Sequence, residues 1–367
     1  MSPKETHSRI QSIKGRGAVS NSNSRRFNLP EREADGDWLD ECETHDEKPK
    51  KSRTEVTVEH PKSILSFNAS PDLPFDRSVN AYRGCEHGCV YCYARPTHAY
   101  LDLSPGLDFE TKLFAKPNAV NLLRQTLAKP KYIPKPIAIG TNTDPYQPIE
   151  KLYRITRGIL ELMLETRHPI GITTKSDRVL DDVDILEQLA KQRLTAVALS
   201  ITSLNGHTAR ILEPRAPAPY KRLEAVKKLR DRGVYVHVNI APVIPAITDH
   251  EIEAITEAVA NHGARSISLI PVRLPHEVAP LFEEWLETHF PDRRQKVMSI
   301  IASMRSGKRN DPDFYSRMRG QGPWADLLRS RATIAARKSG ITNAAFQLRT
   351  DLFKRPLIKG SQMDLFQ

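Results

Sequence analysis

Cys85, Cys89 and Cys92 stand together in the string RGCEHGCVYCYARPTH. A CxxxCxxC spacing can place three thiolates on three irons of a cubic iron–sulfur cluster and leave the fourth iron without a protein ligand. A closed electron-transfer cluster or a structural zinc ion asks for a fourth ligand. The only other cysteine, Cys42, lies far upstream among the charged residues of DWLDECETHDEKPKK. Three ligands and a vacancy point to a cluster that binds something else. Zinc held by the triad with His87 or His98 is an alternative, although structural zinc sites usually bring two separated ligand pairs and no second pair is present. Four cysteines in 367 residues, three crowded on one loop, do not make a disulfide framework. A chance meeting of three buried cysteines is the remaining reading.

Tyr91 precedes the third cysteine and Tyr93 follows it. The string CEHGCVYCY resembles the radical S-adenosylmethionine (radical SAM) superfamily, where the residue before the third cysteine is usually aromatic and lies near the cofactor's adenine. Its CxYCY ending looks most like spore photoproduct lyase and the related DNA-repair-photolyase-like proteins. NAYRGCEHGCVYCYARPTH, GTNTDPYQPIE, LEPRAPAP and APVIP are similar to a bacterial family within that group, over about Ser63 to about Arg337. The resemblance implies a 4Fe-4S cluster on Cys85, Cys89 and Cys92, with the amino and carboxylate groups of S-adenosylmethionine on the open iron. One electron, from a donor such as flavodoxin or ferredoxin, then yields methionine and a 5′-deoxyadenosyl radical that abstracts a hydrogen atom. The cofactor carries the hard chemistry, while the protein fixes orientation and excludes water.

The elements that must position this loop follow a strand-then-helix rhythm. RSVNAYRG leads into the cysteines, and ETKLFAK reads as a short extra strand. PIAIGTN, GITT, TAVALSIT, VYVHVNIAPVI and ARSISLIPV are compact apolar strands. Between them, NAVNLLRQTLA reads as a helix with Asn118 as N-cap. A helical face is expected from Glu150 to Arg167 through Leu152, Ile155, Ile159, Leu162 and Met163. Further helices lie around DDVDILEQLAKQ and in LEAVKKLRDRG, the latter stopped by Gly233. Thr248 and Glu251 form a capping-box pattern before Ile252, Ile255 and Val259. The alternation argues for a parallel α/β architecture, and periodicity alone leaves open sheet and barrel undecided. The resemblance implies a partial (β/α)6 TIM-like radical SAM barrel, with its chemistry at the C-terminal ends of the strands.

In such a barrel the polar residues at strand ends face the cofactor. By the resemblance, the segment Thr141, Asn142, Thr143, Asp144 helps bind the amino group of S-adenosylmethionine, with Asn142 or Asp144 accepting its protons. Lys175 can pair with the methionyl carboxylate, and Ser200 and Thr202 alternate to one face and can bond the ribose hydroxyls. Arg215 in LEPRAP resembles an arginine that reaches cofactor or substrate, and Asn239 and Arg273 are weaker candidates of the same kind. Each also has a plain structural reading: a turn stabilised by Asp and Asn, an exposed loop lysine, satisfied barrel hydroxyls. One departure matters. Spore photoproduct lyases carry a hydrogen-returning cysteine just after the second strand, where this chain has Thr141, Asn142 and Thr143. That argues against spore photoproduct repair as the specific reaction and leaves Tyr91 and Tyr93 as catalytic candidates.

The net charge of +11 is unevenly placed. Residues 1–60 carry 11 basic and 12 acidic residues, whereas residues 291–367 carry 16 basic and 6 acidic, a net of +10. A cationic end suits an enzyme that handles nucleic acid, and it equally suits a solvated face on helices. The expected division is a flexible or draped N-terminal arm over 1–62, a core barrel over 63–290, a basic helical extension over 291–357 and a flexible tail over 358–367. In that tail, Gln362, Met363, Asp364, Leu365 and Phe366 look like the short peptide by which bacterial repair proteins dock on the DNA sliding clamp. No run approaches a membrane span, and the start lacks the apolar core of a secretory signal, so the expected location is cytoplasmic. Three functional readings follow: a radical enzyme acting on nucleic acid in a DNA-repair-like reaction, a radical enzyme modifying RNA or protein, and a zinc- or cluster-stabilised nucleic-acid-binding module.

Overall fold

The computed structural model describes residues 14–22, 24, 26 and 53–357, so Cys42 and the Gln362–Phe366 motif lie outside the described residues. Ten strands are formed in chain order: β1 (Glu55–Val58), β2 (Leu65–Phe67), β3 (Arg77–Val79), β4 (Tyr82–Arg83), β5 (Lys112–Ala115), β6 (Ile137–Ile139), β7 (Ile170–Thr174), β8 (Thr195–Ser200), β9 (Tyr235–Val243) and β10 (Ser266–Pro271). Seven of them make one sheet in the order β10-β9-β8-β7-β6-β3-β2. Every neighbouring pair from β3 to β10 is parallel, and β2 closes the edge antiparallel to β3. These six parallel strands are the six expected from the sequence, and the sheet is an open, partial barrel. A second, three-stranded sheet, β1-β5-β4, carries the loop that follows β4.

The two faces of the large sheet differ in chemistry. On one face Ile137, Ile139, Ile172, Val197, Val236 and Val238 are buried against the helices. The alternate residues are small or polar and only half covered, including Gly171, Thr173, Ala198, His237 and Asn239. A parallel sheet normally reads apolar on both faces. Here the second face is a concave, polar wall. Its polar groups are tied together: the Asn239 Oδ1 lies 2.7 Å from the Ser268 hydroxyl and 3.1 Å from His237 Nε2.

Residues beyond the last helix, Gly322–Lys338, close the lower end of this wall instead of extending the helical pattern expected through 357. Asn343 Oδ1 accepts from the Ile267 amide at 2.8 Å, Phe346 stacks on Tyr235 at 4.0 Å, and the Arg349 amide donates to the Arg193 carbonyl at 3.0 Å. Those partners sit at or just before the N-terminal ends of β8, β9 and β10.

Three local expectations are corrected. Asn118 makes no side-chain cap; its amide donates instead to the Pro61 carbonyl at 3.2 Å. The helix expected from Glu150 to Arg167 breaks at Arg154, which is left-handed at φ 49°, and this turns Leu152 outward to 79% exposure. Thr248 and Glu251 form no capping box. The Thr248 hydroxyl accepts from the Ile244 amide at 2.9 Å, and the Glu251 carboxylate takes the Ser203 hydroxyl at 2.6 Å and the Leu204 amide at 2.7 Å. Gly233, at φ 76°, does stop the helix Pro219–Asp231. Among the described residues no helix is long and apolar enough to cross a membrane.

Candidate functional site

The cysteine loop is built as consecutive turns. The Gly88 amide donates to the Cys85 carbonyl at 3.3 Å, the Cys92 amide to Cys89 at 3.2 Å, and the Arg95 amide to Cys92 at 3.2 Å. Arg95, fully buried, holds the loop from within. Its guanidinium donates to the carbonyls of Cys89 (2.9 Å), Gly88 (3.3 Å), Pro105 (3.0 Å) and Gly106 (2.8 Å) and pairs with the buried Glu110. All five donors of the fork are thereby aimed at the loop and its flank.

Two further grips hold the loop. Gln147, in the GTNTDPYQPIE string, accepts from the Glu86 amide at 2.9 Å and donates to the Gly84 carbonyl at 3.2 Å. From the other side comes the N-terminal segment. The amides of Gly17 and Ala18 donate to the two oxygens of Glu110 at 3.0 and 2.8 Å, and Gly17 lies on Gly88 so closely that a β-carbon there would sit 1.8 Å from the Gly88 carbonyl oxygen. Farther on, the Asn21 side chain exchanges bonds with Asp108, the Ser20 hydroxyl donates to Glu284 at 2.7 Å, and Arg26 pairs with Glu277 at 2.6 Å. The described part of the arm is therefore packed across the cysteine loop and onto the helix Val278–His289, and Glu55–Val58 already forms β1.

Below the loop lie the strand ends. Gly140 turns the chain out of β6 at φ 90°, where a β-carbon would meet the Thr173 carbonyl oxygen at 2.0 Å, so only glycine lets Thr141–Asp144 fold back against β7. Asp144 accepts from the Thr174 hydroxyl at 2.7 Å and the Lys175 amide at 2.8 Å, and its Oδ2 lies 3.3 Å from His87 Nδ1. Burial pushes its carboxyl up, but the His87 ring and these donors outweigh that and hold it below the ordinary value. Thr141 faces Asn80, its carbonyl accepting the Tyr93 hydroxyl, while Asn142 is exposed. The Thr143 hydroxyl donates to the Gly84 carbonyl at 2.6 Å.

Lys175, Thr202 and Tyr91 meet around a carboxylate that sequence reasoning passed over. Glu213 is fully buried. It accepts the Tyr91 hydroxyl, pairs with the buried Arg222, lies 2.7 Å from the Thr202 hydroxyl and 3.3 Å from Lys175 Nζ. The Lys175 ammonium also sits 5.6 Å from the Tyr91 ring centroid. Burial pushes the Glu213 carboxyl up, yet Arg222 and Lys175 dominate and hold it far below the ordinary range. Ser200 lends its carbonyl to Arg222 at 3.0 Å. Arg215 is placed elsewhere: it pairs with Glu86 at 2.9 Å on the outer side of the cysteine loop, next to Thr54. In the LEPRAP string the acid faces the strand ends and the arginine faces the loop.

The three cysteines are free thiols, two buried and one half-buried, and burial pushes all three up as thiols. His87 Nδ1 lies 3.3 Å from Asp144 Oδ2, and His98 Nε2 lies 2.9 Å from the Lys112 carbonyl oxygen. Among the described residues no three His, Cys, Asp or Glu side chains are placed to hold a single ion.

Residues 79–259, from β3 to the helix Ile252–Asn261, match the family model of the radical SAM superfamily. The chain carries a radical SAM domain. Over 222 residues it is 36% identical to an uncharacterized protein of Mycobacterium tuberculosis, a match covering 60% of this chain and 65%, just under two thirds, of that relative. Its fold is similar to that of spore photoproduct lyase complexed with dinucleoside spore photoproduct, at a TM-score of 0.57 and 14% identity over 78% of this chain and 80% of that one. A spore photoproduct lyase double mutant with bound AdoMet superimposes at a TM-score of 0.53 and 15% identity, covering 78% and 80%. The radical SAM family implies a 4Fe-4S cluster and S-adenosylmethionine, and the residues present fit both. Three thiols on one braced loop give three soft ligands without a fourth, and a buried thiol ionises when an iron takes its proton's place. Asp144, Lys175 and Thr202 offer an acid, an ammonium and a hydroxyl below them.

Proposed function

We propose that this radical SAM protein is an enzyme that abstracts a hydrogen atom from nucleic acid in a DNA-repair-like reaction. The observation that carries the reading is the meeting of Tyr91, Lys175, Thr202 and Asp144 directly beneath the triad loop, at the C-terminal ends of β6, β7 and β8. Bound there, the cluster and S-adenosylmethionine supply a 5′-deoxyadenosyl radical.

The chain's own residues do the rest. Cys85, Cys89 and Cys92 hold the iron, and Tyr91 forms the floor beside the third cysteine. The Lys175 ammonium, with donors to spare beyond Glu213, takes the methionyl carboxylate. Asp144, ionised, accepts from the methionyl amine, with Thr141 and Asn142 at the rim. Thr202, whose hydroxyl is held at Glu213 and the Ala241 carbonyl, would accept from the ribose hydroxyls, with Ser200 beside it. Arg95, Gln147 and the segment at Gly17 keep the loop closed to water. Of the two tyrosines, Tyr91 is locked onto Glu213, whereas Tyr93 is 45% exposed, so Tyr93 is the better placed to pass a hydrogen atom to a substrate. Arg215 acts on the loop through Glu86 and is assigned a positioning role.

The nucleic-acid reading draws on the fold shared with spore photoproduct lyase, whose solved complex holds a dinucleoside photoproduct. The basic C-terminal region adds less than its charge suggests, because Arg309, Arg317, Arg329, Arg331 and Arg349 are paired with carboxylates. Full-length reconstituted protein supplied with deuterium-labelled DNA is expected to move label into 5′-deoxyadenosine. Label arriving from RNA or from peptide, and not from DNA, contradicts the assignment. Gln362, Met363, Asp364, Leu365 and Phe366 would bring the enzyme to DNA through the sliding clamp. A peptide of residues 358–367 should bind a bacterial clamp at micromolar strength and lose binding on Leu365→Ala with Phe366→Ala; an intact peptide that does not bind ends that part of the proposal.

A further inference from the structure

The mouth of the barrel carries an arginine that none of the roles above uses. Arg273 follows β10, and its guanidinium carbon lies 4.7 Å from the centroid of the Tyr93 ring. Tyr93 is fixed in turn by its hydroxyl on the Thr141 carbonyl, so the pair bridges the last strand and the turn after β6 across the opening. Among the described residues no carboxylate lies within ion-pair distance of Arg273, whereas its neighbour Arg317 is held by Asp72 at 2.6 and 2.7 Å. Tyr93 directly follows Cys92, so the stacked pair stands beside the triad loop.

More positive charge stands behind it. Arg305 is buried and caps the Val272 carbonyl at 2.8 Å and the Arg317 carbonyl at 3.1 Å. Burial and the nearby Arg273 push Arg305 down to about 10, so the two guanidiniums feel each other. With Arg317, three guanidiniums gather here; Asp72 is taken up by Arg317, and Asp311 acts on Arg305. A half-covered cation among like charges, without an acid of its own, lowers its energy by meeting an anion. Aromatic rings flank the cluster: Arg317 stacks on Phe314 at 4.9 Å, and Phe314 and Tyr315 are exposed. Alternating guanidinium and aromatic faces are the surface on which unstacked nucleotides lie, with the phosphate on the cation and the base on the ring.

We propose that Arg273, stacked on Tyr93 and backed by Arg305 and Arg317, is a phosphodiester subsite that seats the substrate strand at the barrel mouth. The assignment deepens the nucleic-acid reading and rests on it. It makes Tyr93 the floor of the subsite as well as the residue nearest the reacting nucleotide.

The test is fluorescence anisotropy of the full-length reconstituted protein on a labelled single-stranded oligonucleotide over a salt series. Losing one phosphate contact weakens binding about fivefold near 0.1 M salt and lowers the slope of log affinity against log salt by about 0.7. Arg273→Gln should show both changes, and Arg273→Lys should recover the slope. Arg331→Gln, which removes the same charge from the Glu253 pair on the helix Gly322–Lys338, should show neither. S-adenosylmethionine binding, followed by equilibrium dialysis, should stay unchanged in Arg273→Gln. If Arg273→Gln binds the oligonucleotide like the parent, the subsite is overturned while the nucleic-acid reading stands. If it loses S-adenosylmethionine instead, the anion is the methionyl carboxylate and the proposal is wrong. A parent protein that binds no oligonucleotide overturns the subsite and the reading together.

Discussion

Alanine at any one of Cys85, Cys89 or Cys92 is expected to leave a colourless, folded protein that binds little iron and forms no 5′-deoxyadenosine on reduction. Each thiol is one of three, and among the described residues no other cysteine can take its place. The fold should survive, because the loop is held by Arg95, Gln147 and Glu110 and not by the sulfurs. A cysteine-to-alanine change deletes one heavy atom, at a cost of about 1 kcal/mol. Iron content near the parent's about four per chain in the triple variant, checked beside its circular dichroism, would show that the cluster is held elsewhere.

Glu213 carries the second large effect, through stability first and cofactor binding second. It is the counter-charge of Arg222, which is itself buried, and of Lys175. Removing one partner of a buried pair strands the other and costs about 3–5 kcal/mol. Glu213→Leu should therefore lower the melting temperature by roughly 6–20 °C, at about 2–4 °C per kcal/mol for a domain of a few hundred residues. Glu213→Gln, which keeps hydrogen-bonding atoms for Tyr91 and Thr202, should fall between that variant and the parent. The pH dependence has a definite sign. The folded carboxyl is held far below the ordinary glutamate value, so its stabilisation is fully present above that ordinary value and is lost as pH falls toward the folded one. The acid limb of parent stability should flatten in Glu213→Leu. Equal melting temperatures for parent and Glu213→Leu at pH 7 would contradict the buried network.

The same residue shows where the sequence stops being informative. The six parallel strands were legible because their apolar runs and intervening helices repeat, and Gly233 marked a helix stop by a conformation that favours glycine. The triad announced itself by spacing. Glu213 and Arg215, two positions apart in LEPRAP, sit just past the short helix Gly206–Leu212, where no periodicity says which side chain faces inward. Arg222 reads as a surface residue of a charged helix, and only its reach to the Ser200 carbonyl and to Glu213 draws it inside. Arg95 and Glu110 were equally hidden, since an ion pair between a loop and a later turn leaves no pattern. The segment at Gly17 has little apolar periodicity, which leaves a flexible arm and a draped one equally open. It docks through backbone amides on Glu110 and a close glycine contact, which composition does not record.

The roles of the strand-end residues all depend on one property of the triad, that it holds a cluster with a position left for S-adenosylmethionine. Anaerobic reconstitution of the full-length protein, followed by iron and zinc analysis and by chromatography of the nucleoside after reduction with S-adenosylmethionine, measures it directly. The account predicts about four irons per chain and formation of 5′-deoxyadenosine. One zinc per chain with S-adenosylmethionine left intact would contradict it and favour a metal-stabilised binding module.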